Sequence, residues 1–267
     1  MTLQELIGGT EKRFKAARLH YGHGTENARD EAAFLVLRAL RLPFSHALTD
    51  QVSERSAARI EVLVQKRIQQ RIPAAYLLKE AWLDGERFYV DERVIVPRSH
   101  IAFLLKDLPA PRSVLDLCTG SGCLAILAAR AFPRARVTAS DISAAALAVA
   151  RRNVGKRIRL VRSDLFDKVP GRFDLILANP PYVPTVSMKR LPAEYRREPA
   201  LALGAGRDGL DMVHRILGEA RAHLTERGTL MCEVGEARRA LEKAYPRLPL
   251  RWPVESVFQI ERSGLPA

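Results

Sequence analysis

Val114-Leu115-Asp116-Leu117-Cys118-Thr119-Gly120-Ser121-Gly122 reads as a short apolar strand that ends in a Gly-x-Gly turn. A brief, nearly unbroken apolar run suits a strand buried on both faces, and two close glycines let the backbone turn tightly. Beyond the turn, Leu124 to Phe132 has a helical pattern and Val137-Thr138-Ala139-Ser140-Asp141 is a second strand. Ala144 to Asn153 is a second helix, Ile158 to Val161 a third strand and Asp174-Leu175-Ile176-Leu177-Ala178 a fourth. A long amphipathic helix from Asp211 to Leu224 leads to a fifth strand, Thr229-Leu230-Met231-Cys232-Glu233. Two late strands, around Leu248 to Trp252 and Ser256 to Glu261, close the series. Alternation of this kind specifies an α/β fold with a doubly wound, mostly parallel sheet, here of seven strands.

Upstream the pattern is helical. Leu3, Leu6 and Ile7 share one helix face. Ala32, Leu35, Val36, Ala39 and Leu40 form a second stripe, stopped by Pro43, and Ile60, Leu63, Val64 and Ile68 a third, ended by Pro73. Arg59, Lys66, Arg67 and Arg71 lie among these positions and read as the solvated basic face of a packed helical domain. Between residues 76 and 97, Phe88-Tyr89-Val90 and Val94-Ile95-Val96 are rich in β formers, with Asp91-Glu92-Arg93 between them as a turn. Pro97-Arg98-Ser99 then opens a helix whose apolar face is Ile101, Leu104 and Leu105. The expected organisation is a small N-terminal helical domain (1–75), a β-hairpin linker (76–97) and an α/β domain (98–267).

The composition, 47% hydrophobic and 27% charged over 267 residues, is that of an ordinary soluble globular chain without repeats. Lys and Arg total 43 against 30 Asp and Glu, a net charge of +13. Such an excess favours polyanionic surroundings, nucleic acid or a ribonucleoprotein, or coats a solvated surface; charge alone leaves both open. Cys118, Cys123 and Cys232 form no CxxC pair, which argues against a zinc site and a disulfide framework; no metal is expected. An odd cysteine count fits a reducing cytoplasm. Met1 to Leu6 lacks the basic-then-apolar pattern of a secretion signal, and Leu124 to Ala129 is too short to span a bilayer, so no membrane partner is expected.

In doubly wound folds ligands bind beyond the carboxyl ends of the strands. A dinucleotide turn wants Gly-x-Gly-x-x-Gly, but Ala125 stands where the third glycine would be. Asp116 would repel a pyrophosphate and attract the ammonium of a methionine moiety. The turn from Asp116 through Cys118, Thr119, Gly120, Ser121 and Gly122 therefore suits a cationic cofactor, S-adenosylmethionine, better than an anionic one. Asp141, at the end of the second strand, can accept both ribose hydroxyls, a position that NAD enzymes share. Asp164, in Ser163-Asp164-Leu165, can meet the adenine amino group, with Leu165 and Ile142 on the ring faces; its other reading is a helix N-cap or turn residue.

Asn179-Pro180-Pro181-Tyr182 follows the fourth strand directly. A rigid turn would explain the prolines, but not the Asn at the strand exit or the aromatic after them. A planar amide or aromatic amine is a poor nucleophile because its nitrogen lone pair is delocalised. The Asn179 side-chain oxygen and the Pro180 carbonyl can accept its two N–H bonds, and Tyr182 offers a ring face for stacking. Two fixed acceptors turn the lone pair toward a sulfonium methyl, so the expected chemistry is methylation of a planar nitrogen by positioning and preorganisation.

With these motifs the chain resembles the bacterial protein-(glutamine-N5) methyltransferases over nearly its whole length. Beyond the tetrapeptide the resemblance rests on Glu198-Pro199-Ala200-Leu201-Ala202-Leu203, Gly206-Arg207-Asp208-Gly209-Leu210 and Val234-Gly235-Glu236. It implies a Rossmann-like class I fold, and a substrate cleft that Asn179, Pro180, Pro181, Tyr182 and Glu198 help to form, with Tyr195, Arg196 and Arg197 either lining it or forming a surface loop. His20, His23 and His100 could touch substrate there or simply be packed or solvated. Within the family the chain is similar to the enzymes that act on ribosomal protein uL3, through His20-Tyr21-Gly22-His23-Gly24-Thr25, Arg71-Ile72-Pro73-Ala74-Ala75-Tyr76-Leu77 and Val96-Pro97-Arg98-Ser99. Release-factor enzymes usually carry Pro-Arg-Pro at the last of these. The compressed link from Asn153 to Ile158 and the short turn Val254-Glu255-Ser256 depart from the family pattern. The implied partner is uL3, free or in a pre-ribosomal particle, with weak RNA contact, in the cytoplasm. Methylation of a release factor, methylation of adenine in nucleic acid, non-catalytic ribosome-assembly binding and a dehydrogenase are the competing readings.

Overall fold

A computed structural model describes residues 1–266. Three helices, α1 (Leu3–Ala16), α2 (Ala28–Ala39) and α3 (Glu54–Gln70), begin the chain, each opened by a side-chain cap. Thr2 and Glu5 form a reciprocal capping box on α1, Asn27 accepts from the Asp30 N–H on α2, and Ser53 from the Ser56 N–H on α3. The short α4 (Ala74–Leu78) follows.

Residues 76–97 hold a hairpin, but not the expected one. Its strands are β1 (Ala81–Leu83) and β2 (Glu86–Phe88), joined by Asp84-Gly85 with both φ values positive, +48° and +75°. Asp-Gly is the favoured pair for a tight hairpin turn whose twist matches the strands. Val94-Ile95-Val96 is not a strand. Val94 and Val96 are apolar because they are buried, and side chains satisfy the backbone there: the Tyr76 hydroxyl donates to the Val94 carbonyl at 2.5 Å and the Val96 N–H to Glu198 at 2.9 Å. Asp91-Glu92-Arg93 does turn, with Asp91 accepting from the Arg93 N–H and guanidinium.

After α5 (Ile101–Leu104) the alternation is β3 (Ser113–Leu117), α6 (Cys123–Ala131), β4 (Arg136–Asp141), α7 (Ala144–Asn153), β5 (Ile158–Arg162) and β6 (Phe173–Ala178). Then come α8 (Thr185–Met188), α9 (Asp211–His223), β7 (Leu224–Glu233), α10 (Arg238–Ala244), β8 (Arg251–Val254) and β9 (Val257–Glu261). The seven-stranded sheet has the order β5-β4-β3-β6-β7-β9-β8; its first five strands are parallel, and β9 alone runs antiparallel to its neighbours β7 and β8. Only two residues separate β8 from β9, so the short final turn still closes a hairpin.

Side-chain alternation sorts the sheet into two cores. Val114, Leu175, Leu177 and Met231 face a cluster that continues through α6 and α7 to Leu3 and Phe14 in α1. Leu115, Leu117, Ile176 and Leu230 face the other, with Val213 and Leu217 of α9. β3, fully buried, is thereby clamped between the two cores and between β4 and β6, and the ligand turn hangs from its carboxyl end.

Candidate active site

The register brings the chemistry-bearing residues to one level. Leu117 pairs with Ser140 on one side and Ala178 on the other, so Cys118, Asp141 and Asn179 leave the sheet together. The turn after β3 has positive φ at Cys118 (+56°), Gly120 (+55°) and Gly122 (+84°). A Cβ on Gly122 would stand 3.0 Å from Val154, so the turn packs on α7 only with glycine there; a Cβ on Gly120 would meet nothing within 4 Å. Asn153 of α7 donates to the Ser121 carbonyl and tethers the turn from behind.

Asp116 is 1% exposed. One carboxylate oxygen accepts from Thr119 Oγ1 and the Ala125 N–H, while the other, Oδ1, has no partner. Burial pushes its pKa up to about 7. Such an orphaned acceptor beside an open glycine turn is the donor set a small cationic ligand needs. Asp141 is held by the Gly120 N–H and the Ser143 N–H, each at 2.9 Å, one per oxygen, which leaves lone pairs on both. Burial raises its pKa as well. It also raises those of Cys118 and Cys123, so both thiols stay protonated and unreactive.

The third acidic strand end departs from expectation. Both Asp164 oxygens accept from Arg215 Nη1 of α9, at 2.9 and 3.2 Å, so the carboxylate is engaged by a guanidinium. Leu165, with φ +41°, turns its side chain into the core and is 4% exposed; Ile142 presents 46% of its surface. Of the two side chains expected on the ring faces, only Ile142 stands out from the fold.

Asn179 lies where β6 ends, and its Oδ1 is buried without a hydrogen-bond partner. With Pro180 and Tyr182 it lines a cleft of ≈ 880 Å³ that Pro97, Arg98 and Tyr195 also border. Pro181 and the turn from Asp116 to Gly122 do not line this cleft; the turn lies beside it, across the strand ends. The chain leaving the tetrapeptide is strapped down, with the Val183 N–H donating to the Leu203 carbonyl and the Ala205 N–H to that of Val183. Two glycines fix Tyr182. A Cβ on Gly235 (φ +51°) would stand 2.6 Å from the Tyr182 ring, and one on Gly209 (φ +83°) 2.4 Å from its carbonyl oxygen. Sequence reading marked Asp208-Gly209 and Val234-Gly235 as segments but gave them no task. Burial, then the charge of Glu233, pushes the Tyr182 hydroxyl up to about 12, so it stays neutral.

Glu198, expected to help form the substrate cleft, does not line it. It is 4% exposed, and its carboxylate takes a two-pronged contact from Arg98, at 2.5 and 2.7 Å, plus the Val96 N–H. It braces the cleft wall from behind. Nor is the basic face of α3 all solvated: Arg67 is fully buried, donating to Glu31 at 2.5 Å, Glu194 at 3.2 Å and the His20 carbonyl at 2.8 Å. Glu194, which sequence reading missed, also accepts from Arg71 and the His20 N–H. Burial opposes its charge, yet the backbone N–H groups of Glu194 itself and His20, with Arg67, outweigh it and hold the carboxyl below its usual range. Nothing local marks Glu194, since its partners lie more than a hundred positions away in sequence.

Next to this brace, Tyr195 enters the cleft while Arg196 and Arg197 stay exposed, Arg197 donating to the Gln70 carbonyl. Tyr195 packs against His23 with the rings tilted by 49° and their centres 4.4 Å apart, and sits under the Arg98 guanidinium at 5.5 Å. His23 is 2% exposed, and burial lowers its pKa to about 4, so the ring is neutral. His100 borders the cleft and contacts Ser256 at 2.6 Å, whereas His20 contributes only backbone groups to the brace.

Residues 100–191 match the family model Methyltransferase small domain. The ribosomal protein uL3 glutamine methyltransferase of Burkholderia pseudomallei (strain K96243) is 47% identical, over 100% of this chain and 96% of the relative. Its counterpart from Bordetella pertussis (strain Tohama I) is 48% identical over 94% of this chain and 90% of the relative. The crystal structure of a methyltransferase from Pyrococcus furiosus superposes with a TM-score of 0.51 at 18% identity, covering 78% of this chain and 98% of the other, a likeness of fold alone. No helix of the described residues is long and apolar enough to cross a membrane.

Proposed function

The chain belongs to the ribosomal protein uL3 glutamine methyltransferase family, and from that premise we propose how its residues methylate a glutamine amide of uL3. The observation that carries the reading is the buried, unpartnered Asn179 Oδ1 at the mouth of the cleft. When bound, S-adenosylmethionine supplies an electrophilic methyl on a sulfonium sulfur. Asp116 takes the ammonium on its free oxygen, and Asp141 takes the ribose hydroxyls on its remaining lone pairs. Cys118 to Gly122 cradle the ligand, with Gly120 allowing close approach. Ile142 covers the adenine, and Asp164 reaches its amino group only by sharing the Arg215 guanidinium.

The glutamine amide enters between Tyr182 and Tyr195. Asn179 Oδ1 and the Pro180 carbonyl accept its two N–H bonds and hold the nitrogen lone pair out of conjugation, toward the methyl. The nitrogen gains the methyl, the sulfur keeps the bonding pair as a neutral thioether, and one amide proton passes to water. Both tyrosine hydroxyls are held neutral, so neither competes as a charged acceptor. On this reading residues 1–75 recognise the protein substrate, 76–97 link them to the methyltransferase domain, and uL3 is met in the cytoplasm, free or within a pre-ribosomal particle.

Asn179→Ala tests it. With labelled S-adenosylmethionine and purified uL3, the variant should lose about 10²–10³-fold in kcat, the loss typical of one preorganised hydrogen-bonding group, at unchanged circular dichroism. Undiminished labelling would sink the mechanism, and label on a release factor alone would move the substrate.

A further inference from the structure

Much of the excess positive charge is concentrated on one edge of the sheet, away from the cleft. Arg134 and Arg136 stand at the entry to β4, exposed. Arg151 and Arg152 close α7, and Lys156 and Arg157 occupy the turn into β5. Arg159 projects from β5, the edge strand, in register with Thr138 of β4. The register Val137↔Ile158 puts Arg136 and Arg157 side by side, and Arg157 reaches the Pro133 carbonyl. Arg134, Arg136, Lys156, Arg157 and Arg159 thus gather at the amino-terminal end of β4 and β5, with Arg151 and Arg152 flanking them on the last turn of α7, which packs on Gly122; Asp116, Asp141 and Asn179 leave the opposite end of the strands. A strand of this length separates the two ends by roughly 17–20 Å.

Several arginines elsewhere are paired, Arg130 with Asp84 and Glu86, Arg93 with Asp91 and Arg38 with Glu80; others, such as Arg190 and Arg207, stand singly on separate elements. Among the described residues none of the seven has an ion-pair partner. The one carboxylate between residues 134 and 159 is Asp141, turned to the Gly120 and Ser143 N–H groups at the far end of β4. Guarding an edge strand explains Arg159, and a helix carboxyl terminus explains Arg151 and Arg152. Neither explains Arg134, Arg136, Lys156 and Arg157 in the same place.

We propose that this edge is a docking surface for the phosphate backbone of structured RNA. Six of the seven cations are arginines, whose planar fork matches phosphate oxygens, and the Arg152 guanidinium lies over the Tyr89 ring at 3.6 Å, which holds its plane. A membrane surface would ask for apolar anchors among the charges, and the large exposed hydrophobics, such as Phe44, Phe103, Val186 and Leu201, lie on other elements. The position leaves the cleft free, so one end of the sheet holds RNA while the other meets the protein substrate.

The test is binding of a labelled RNA duplex of about 16 base pairs, a span typical of double-strand readers, across a salt series. Arg136→Glu/Arg157→Glu/Arg159→Glu should weaken binding at least a hundredfold. It should also flatten the log-affinity against log-salt slope by about 2–3, near one unit per lost phosphate contact. The glutamine version of the triple variant should move in the same direction by less, guarding against a folding artefact. Undiminished RNA binding by either variant overturns the proposal, as does wild-type protein that prefers anionic vesicles or poly-glutamate to the duplex. Methylation of free uL3 is assayed in parallel and should be unaffected by the triple variant. Wild-type protein that binds the duplex through these arginines but leaves uL3 unlabelled supports the surface and removes only the proposed substrate.

Discussion

Asp116 and Glu194 are both buried carboxylates that flank Asn179 along the chain, and the fold treats them in opposite ways. Glu194 is saturated: Arg67, Arg71 and the His20 N–H converge on it, and its carboxyl is held below the usual range. Asp116 has no cation beside it, keeps one oxygen unpartnered, and burial lifts its pKa to about 7. A buried carboxylate whose charge is met from within is a brace. One left uncompensated waits for charge from outside, and the unfavourable burial becomes binding energy when a cation arrives.

Four measurements would break or sharpen that contrast. Glu194→Ala leaves the fully buried Arg67 with one carboxylate fewer, and chemical denaturation should show a loss of about 3–5 kcal/mol, the usual cost of opening a buried pair. A loss no larger than that of a surface substitution would mean that Glu194 is not a brace. Asp116→Asn keeps the shape and removes the charge. Calorimetry should find S-adenosylmethionine bound about 10–100-fold more weakly, corresponding to the 1.5–3 kcal/mol of a hydrogen bond to a charged group, with little change in ligand-free stability.

The same carboxylate sets a pH dependence. Its pKa is raised from 3.8 to about 7, so between those values the folded chain holds a proton that the unfolded chain has released. Stability of the ligand-free protein contributed by Asp116 therefore falls as pH rises through this window. A cationic ligand favours the ionised form, so cofactor affinity should climb up to about tenfold per pH unit below 7 and level off above it. Affinity flat from pH 5 to 8 would contradict the assignment. The smallest effect is expected at Arg71, a third exposed: Arg71→Ala should cost under about 1 kcal/mol, because Arg67 still faces Glu194.

What the amino-acid sequence revealed divides along the same line. The strand and helix series was legible because apolar periodicity is local, and the Gly-x-Gly turn and the tetrapeptide because their residue types are unusual where a strand stops. Asp84-Gly85 was equally legible and was passed over for Val94-Ile95-Val96, whose apolar run reports burial by Tyr76 and Glu198 rather than a ladder. Arg67 on a charged helix looks like any solvated arginine until Glu31 and Glu194 are brought to it. Gly209 and Gly235 stood in recognisable segments, but only the position of the Tyr182 ring and carbonyl shows why no side chain fits there.

The pairing of Arg67 with Glu194 also orders events in time. A ribosome delivers Arg67 well before Glu194, so a chain emerged only through β5 already contains Asp116 and Asp141 yet lacks both Asn179 and the anion that completes the Arg67 cluster. Two of the three carboxylates proposed to hold the methyl donor are thus made before any part of the proposed acceptor site. The proposed acceptor site, and the cleft wall formed by Tyr195, wait for the late loop that places Glu194 against His20, Arg67 and Arg71.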